Sequence, residues 1–389
     1  MRITKLFTEF FESEKASGAV LIACTLLSLF LANSSYALQY IHFWELNLNG
    51  HTLSHWINDG LMTVFFLLIG LELEREVYNG ELSDFRNALF PILAAAGGML
   101  VPAALYYMLN RGTDLVSGAG IPMATDIAFA LGVLTLLGKR VPINLKIFLT
   151  ALAVIDDLGA ILCIAIFYTK SIDFCQLGIS LGIFAVLLIM NRLKIRNLIP
   201  YLLGGIAMWY FMLHSGVHAT ISGVLLAFAI PFGNGKKKSS SYILQHYLHW
   251  PVAFVILPLF ALANTAIDFP QEWISGIVTS SSIGVFAGLV LGKPLGIFIV
   301  TFLSVSFGLC KLPEGIRWKH IIGAGMLAGI GFTMSIFITL LAFENQGYII
   351  YSKIAILISS LVAAIAGLVF LRFSQREQVI ESVEEETTL

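Results

Sequence analysis

The sequence predicts an all-α polytopic membrane protein of about 12 transmembrane helices, with a small external β-hairpin. Three observations predict it. The 389 residues are 58% hydrophobic and 12% charged, whereas a soluble globular domain is about 25% charged. Apolar segments of bilayer-spanning length recur along the whole chain. The basic residues fall between those segments with a strong bias to alternate loops.

Taken in order, the spans are expected near 17–32, 53–78, 88–109, 118–137, 143–168, 175–191, 198–213, 216–231, 243–264, 283–305, 319–343 and 350–372. The first is preceded by Arg2 and Lys5, as in a signal peptide. Glu9, Glu12 and Glu14 do not suit a signal's charged region, and no A-x-A pattern follows, so a retained helix is expected. With the N-terminus in the cytoplasm, 19 of the 23 Lys and Arg lie inside. Arg111, Lys170 and Lys353 lie outside, and Lys293 is left within a span. That asymmetry places both termini in the cytoplasm.

The whole chain, 1–389, reads as one transmembrane domain. Between the first two spans, apolar residues alternate from Phe43 up to Asn49-Gly50, a strong hairpin signal; an irregular loop fits the same residues. Gly233 to Ser241, with Lys236–Lys238, reads as a flexible cytoplasmic linker. The polar tail 374–389 is expected to be disordered. The four cysteines are scattered without a C-x-x-C pair and read as packing residues. No cofactor and no nucleic acid is called for.

Two spans are irregular. The fourth contains Gly118, Gly120, Pro122 and Asp126; the eleventh has Gly323, Gly325, Gly329 and Gly331, then Thr333 and Ser335. Glycine and proline weaken helices. Close helix packing would explain either run alone. The two spans, however, are the middle members of triplets 3–5 and 10–12, and an even number of helices between odd triplets inverts one against the other. Interrupted spans in matching places of inverted repeats are where transporters build their sites. If the two discontinuous helices cross at mid-membrane, like helix ends meet, each carrying about half a charge. A carboxylate, Asp126, suits facing N-termini, and an ammonium, Lys293, suits facing C-termini.

The fifth span carries Asp156 and Asp157 side by side in an apolar run. An ionised carboxylate at a membrane helix centre costs roughly 2.5–3.5 kcal/mol on insertion scales, so the doublet is a site by default. Adjacent helical residues point about 100° apart, so one aspartate can pair with Lys293 while the other faces a wet cavity. A purely structural ion-pair cluster is the plainer alternative, but buried pairs stabilise poorly. Three acids against one base leave a surplus of negative charge that a small hard cation would suit. Protons and that cation would compete for the carboxylates, which is the chemistry of exchange.

A second acidic group, Glu72 and Glu76, shares one face at the cytoplasmic end of the second span, with Asp59 near its other end. It reads either as a solvated helix end beside Arg75 or as a cation funnel that responds to pH. His218 is either a group titrating near neutrality or a satisfied buried histidine.

Seven stretches resemble the NhaA-type Na+/H+ antiporters. They are Trp56-Ile-Asn-Asp-Gly-Leu-Met, Phe65-Phe-Leu-Leu-Ile-Gly-Leu-Glu, Ala124-Thr-Asp-Ile-Ala-Phe-Ala-Leu-Gly-Val, Ala153-Val-Ile-Asp-Asp-Leu-Gly-Ala-Ile, Ser215-Gly-Val-His-Ala-Thr, Gly292-Lys-Pro-Leu-Gly-Ile and Gly329-Ile-Gly-Phe-Thr-Met-Ser-Ile-Phe-Ile. The likeness runs from about Ala16 to Phe373. NhaA is itself among the systems from which the inverted-repeat layout is known.

The resemblance implies electrogenic exchange in the bacterial inner membrane. Na+ or Li+ would leave and a larger number of protons enter, serving pH and sodium homeostasis. It implies that Asp157 is the main cation ligand and Asp156 the partner of Lys293. It sets Thr125 and Asp126 at the crossing. It also implies a homodimer through the hairpin near Trp44–Leu53, surrounded by membrane lipids. Two positions depart from the family: Gln245 stands where Glu is common and Glu74 where Lys is common, which puts the pH profile in question. The competing reading is a sodium-coupled solute symporter on a similar fold. An enzyme is not expected, since an intramembrane aspartyl protease needs its two aspartates on separate helices with a G-x-G-D-type motif.

Overall fold

The computed structural model describes residues 5–138, 141–169, 172–233, 235, 239–269 and 276–387. The topology-setting Arg2, Lys139, Arg140 and Lys170 and the linker lysines Lys236–Lys238 lie outside the described residues. The chain is mostly helical. Among the described residues, seven helices are long and apolar enough to cross a membrane, or ten if each of three bent pairs counts as one span.

The chain divides into two compact units, Met1–Ala19 with Phe85–Ala160 and Pro270–Leu389, and Val20–Asp84 with Ile161–Phe269. In the first, helix Phe85–Asn110 lies against helix Ser280–Ser306. The approach is at backbone range: a Cβ added to Gly97 would stand 2.3 Å from the Gly296 carbonyl, and one on Gly296 2.2 Å from the Gly97 carbonyl. Any larger residue at either place would push the pair apart. Within Ser280–Ser306, the stretch Gly288–Gly292 widens into a π-turn immediately before Lys293-Pro294. Pro294 has no N–H to give the helix ladder, and π-turns re-aim the side chains that follow them.

Two bent pairs belong to this unit. Asp114–Met123 meets Ile127–Thr135 at 41°, and Trp318–Ala328 meets Phe332–Ala342 at 48°. The first break has extended backbone at Ala124 and Asp126. It follows Pro122 inside a 3-10 turn. The second is Gly329-Ile-Gly331. The last helix runs Gln346–Thr387.

In the second unit, helix Leu53–Asn79 packs on the short helix Ile221–Ala229, and Phe174–Arg192 packs on Leu198–His214. Leu67, Leu71, Tyr201, Met208, Leu226 and Ile230 form one apolar core. The apolar run 216–231 yields only nine helical residues. Gly216 adopts φ +81°, and the chain turns until Thr220. Before helix Leu53–Asn79, strands Asn47–Leu48 and His51–Thr52 pair antiparallel around Asn49-Gly50. Asn49 and Gly50 take φ of 52° and 88°, the doubly left-handed turn that suits the twist of a hairpin.

Candidate functional site

The two breaks of the first unit bind each other. A helix end leaves N–H groups or carbonyls without intrahelical partners, and buried ones must be met elsewhere. Asp126 is the N-cap of Ile127–Thr135, its Oδ1 accepting from the Phe129 N–H at 3.0 Å. Its Oδ2 accepts from the Thr333 N–H at 3.1 Å and the Thr333 hydroxyl at 2.5 Å. One carboxylate therefore serves two helix N-termini, where negative charge is favoured. The Asp126 N–H donates to the Ile330 carbonyl at 2.7 Å, which ties break to break.

The carbonyl ends are met by donors. Ser335 Oγ donates to the Ile121 carbonyl at 2.8 Å, and Lys293 Nζ donates to the Met123 carbonyl. The Thr125 hydroxyl faces two acceptors, the Ala328 carbonyl at 3.0 Å and Asp156 Oδ2 at 2.8 Å. It carries one proton, so the two acceptors share or exchange it.

Lys293 Nζ lies 2.9 Å from Asp156 Oδ2, with both side chains fully buried. Asp156 Oδ2 thus collects the ammonium and the Thr125 hydroxyl, while its Oδ1 is buried and accepts no hydrogen bond among the described residues. Asp157, also fully buried, projects about 100° further round the helix Ile143–Phe167; the Lys293 charge acts on it. The helix ends, two positive and two negative, cancel. With every carboxyl ionised, Asp126, Asp156 and Asp157 against Lys293 leave a surplus of two negative charges. Such an uncompensated surplus is costly for buried groups.

The remaining sequence-derived residues lie in the second unit and form two groups at opposite ends of helix Leu53–Asn79, about 20 Å apart by helix rise. Asp59 stands 3.3 Å from His55 Nε2, with His51 and His218 close enough to act on it electrostatically. His218 Nε2 is 3.1 Å from the Tyr168 carbonyl. At the other end Glu72 hydrogen-bonds Gln245 and feels both Arg75 and Glu76. Arg75 and Glu76 approach to 3.6 Å. Glu74 is buried on the same helix and accepts from Ser241 at 3.1 Å.

Sequence reasoning missed one participant in the first unit. Ser360, on the helix Gln346–Thr387, accepts the Phe332 N–H at 3.1 Å with both groups buried. Nothing in a serine on an apolar helix marks it as a cap for a different helix.

Comparison with known proteins gives one answer along the whole chain. The Na(+)/H(+) antiporter NhaA of Flavobacterium psychrophilum is 64% identical, covering 98% of this chain and 100% of its own. NhaA 1 of Flavobacterium johnsoniae is 62% identical over 96% of this chain and 98% of its own. The NhaA of Cytophaga hutchinsonii is 58% identical over 99% and 100%. Residues 8–371 match the family described as Na+/H+ antiporter 1, and the chain belongs to that family.

Proposed function

We propose that the protein exchanges Na+, or Li+, for protons across the bacterial inner membrane, with more protons than cations moved per cycle. The observation that carries this reading is the fully buried Asp156, Asp157 and Lys293 beside two helix breaks that cap each other. The names of the similar proteins favour antiport over sodium-coupled solute symport.

Asp157 takes the cation, with Asp156 and Thr125 supplying neighbouring oxygens. In the proton-loaded form the carboxylates are neutralised by protons instead. Competition for one set of oxygens makes the two loadings exclusive, and exclusive loading is what couples the fluxes. Asp156 trades between Lys293 and a proton, so the charge carried differs between the two halves of the cycle. At 100 mV each net charge moved inward contributes about 2.3 kcal/mol, so excess protons let the membrane potential drive cation expulsion.

This reading takes helices 3–5 and 10–12 as inverted repeats with Asp126 and Lys293 compensating the crossing. It takes 12 spans, counting Leu198–His214 and Ile221–Ala229 with the ten, and both termini in the cytoplasm. Asp59, Glu72, Glu76 and His218 serve as cation funnel and pH response. The hairpin at Trp44–Leu53 joins two copies in a lipid-surrounded homodimer.

The test is flux in sealed vesicles. Sodium added to proton-loaded vesicles of purified protein is expected to release protons, and Asp157→Asn to reduce the release to background. An Asp157→Asn protein that still exchanges sodium for protons would overturn the site; a parent protein that moves sodium only with an organic solute would overturn antiport.

A further inference from the structure

The N-terminus of helix Phe332–Ala342 cannot cap itself. Its N-cap position is Gly331, which has no side chain to offer the first N–H groups. No capping residue can replace it. A Cβ at Gly331 would stand 2.1 Å from Ser335 Oγ and 3.0 Å from Leu289 Cδ2. Ser335 is itself committed to the Ile121 carbonyl. The cap must therefore come from elsewhere, and two groups supply it: Asp126 takes the Thr333 N–H, and Ser360 takes the Phe332 N–H.

Asp126 already accepts from both helix N-termini. Oδ1 holds Phe129, and Oδ2 holds both the N–H and the hydroxyl of Thr333. Without Ser360 the Phe332 N–H would lose its acceptor, next in the chain to the Thr333 N–H that Asp126 Oδ2 holds. Drawing Asp126 toward it would disturb the Asp126 N–H to Ile330 link and the adjacent Thr125, which binds Asp156.

We propose that Ser360 is a positioning residue for the cation site: by taking the Phe332 N–H it keeps Asp126 set on Thr333, and through Thr125 it sets Asp156. The inference rests on the antiport reading and adds a residue from the last long helix to it. The mechanism makes the hydroxyl, not the volume, the functional part. Ser360→Thr keeps the acceptor, Ser360→Cys keeps the size with a weak acceptor, and Ser360→Ala removes it.

The experiment measures Na+-dependent proton release in vesicles against sodium concentration for the parent and the three variants. Hydrogen exchange of the Phe332 amide region is followed by mass spectrometry on the same preparations. Expected is a rise of about tenfold in the apparent KM for Na+ in Ser360→Ala, the scale of one lost buried hydrogen bond. Ser360→Cys should fall between, Ser360→Thr should remain near the parent, and amide exchange should quicken in the same order. Should Ser360→Ala fail to fold, the contrast of Ser360→Cys with Ser360→Thr decides. Equal KM and equal amide protection in Cys and Thr variants, or a fall in maximal rate alone, would overturn the proposal. A parent protein without sodium–proton exchange would instead sink the antiport reading, leaving the amide-exchange order to judge the cap.

Discussion

Lys293 Nζ meets Asp156 Oδ2 at 2.9 Å with neither side chain exposed, and the same ammonium reaches the Met123 carbonyl at the end of a broken helix. Removing one partner of a buried pair leaves a charge uncompensated, which costs about 3–5 kcal/mol. Lys293→Met and Asp156→Asn are each expected to lower the thermal stability of the purified protein clearly. The double variant should recover much of it, since no lone charge remains. It should also exchange without net charge, so that an imposed membrane potential no longer alters sodium accumulation. Voltage-driven accumulation equal to the parent's in the double variant would contradict the role given to this pair.

Thr125 is the bridge between that pair and the second broken helix, through Asp156 Oδ2 and the Ala328 carbonyl. Thr125→Val keeps the shape and deletes the hydroxyl. It leaves the Ala328 carbonyl without that donor, a loss of about 1–3 kcal/mol. A lower unfolding temperature and a higher apparent KM for Na+ are expected, both reversed in Thr125→Ser. Matching flux curves for Val and Ser would show that the hydroxyl is not used.

How far these features could be read from sequence follows from how local their signals are. Asp156, Asp157, Asp126 and Lys293 stand out because charge in an apolar run is costly, whatever surrounds it. The breaks stand out because Pro122 and the glycines at 329 and 331 disrupt helix locally. The hairpin turn at Asn49-Gly50 is likewise written in two adjacent residues. Ser360 is different, since its partner Phe332 lies on another helix and a buried serine commonly bonds its own helix, as Ser359 does with the Ala355 carbonyl. Glu72 and Gln245 also meet only through tertiary packing. Hydropathy overstated the helix after His214, because backbone turns at Gly216 take residues that the apolar count assigns to a span.

Gln245 offers an amide to Glu72 where the resembled family commonly has a carboxyl. Two carboxyls in hydrogen-bond contact hold a shared proton to higher pH than a carboxyl and an amide do. In Gln245→Glu, with Glu76 also acting on Glu72, the charge change at this helix end would be completed at higher pH. The exchange-rate profile of the variant is expected to lie alkaline of the parent's, with the maximal rate little changed. Superimposed profiles in vesicles titrated from neutral to alkaline pH would remove this group from pH control.

The hairpin depends on one residue for its shape. Gly50 holds φ at 88° beside Asn49 at 52°, and a residue with a Cβ pays about 1–2 kcal/mol in the left-handed region. Such a penalty is large for a ladder of two residue pairs, Asn47 with Thr52 and Leu48 with His51. Gly50→Val should therefore open the hairpin, and deletion of residues 47–52 should remove it. If two copies join through this element, both variants shift from dimer to monomer in light scattering of detergent-purified protein. Exchange per chain should persist, because Asp156, Asp157, Lys293 and both breaks belong to the other unit. Dimers that survive both changes would place the interface elsewhere; monomers that lose exchange would show that the hairpin serves transport itself.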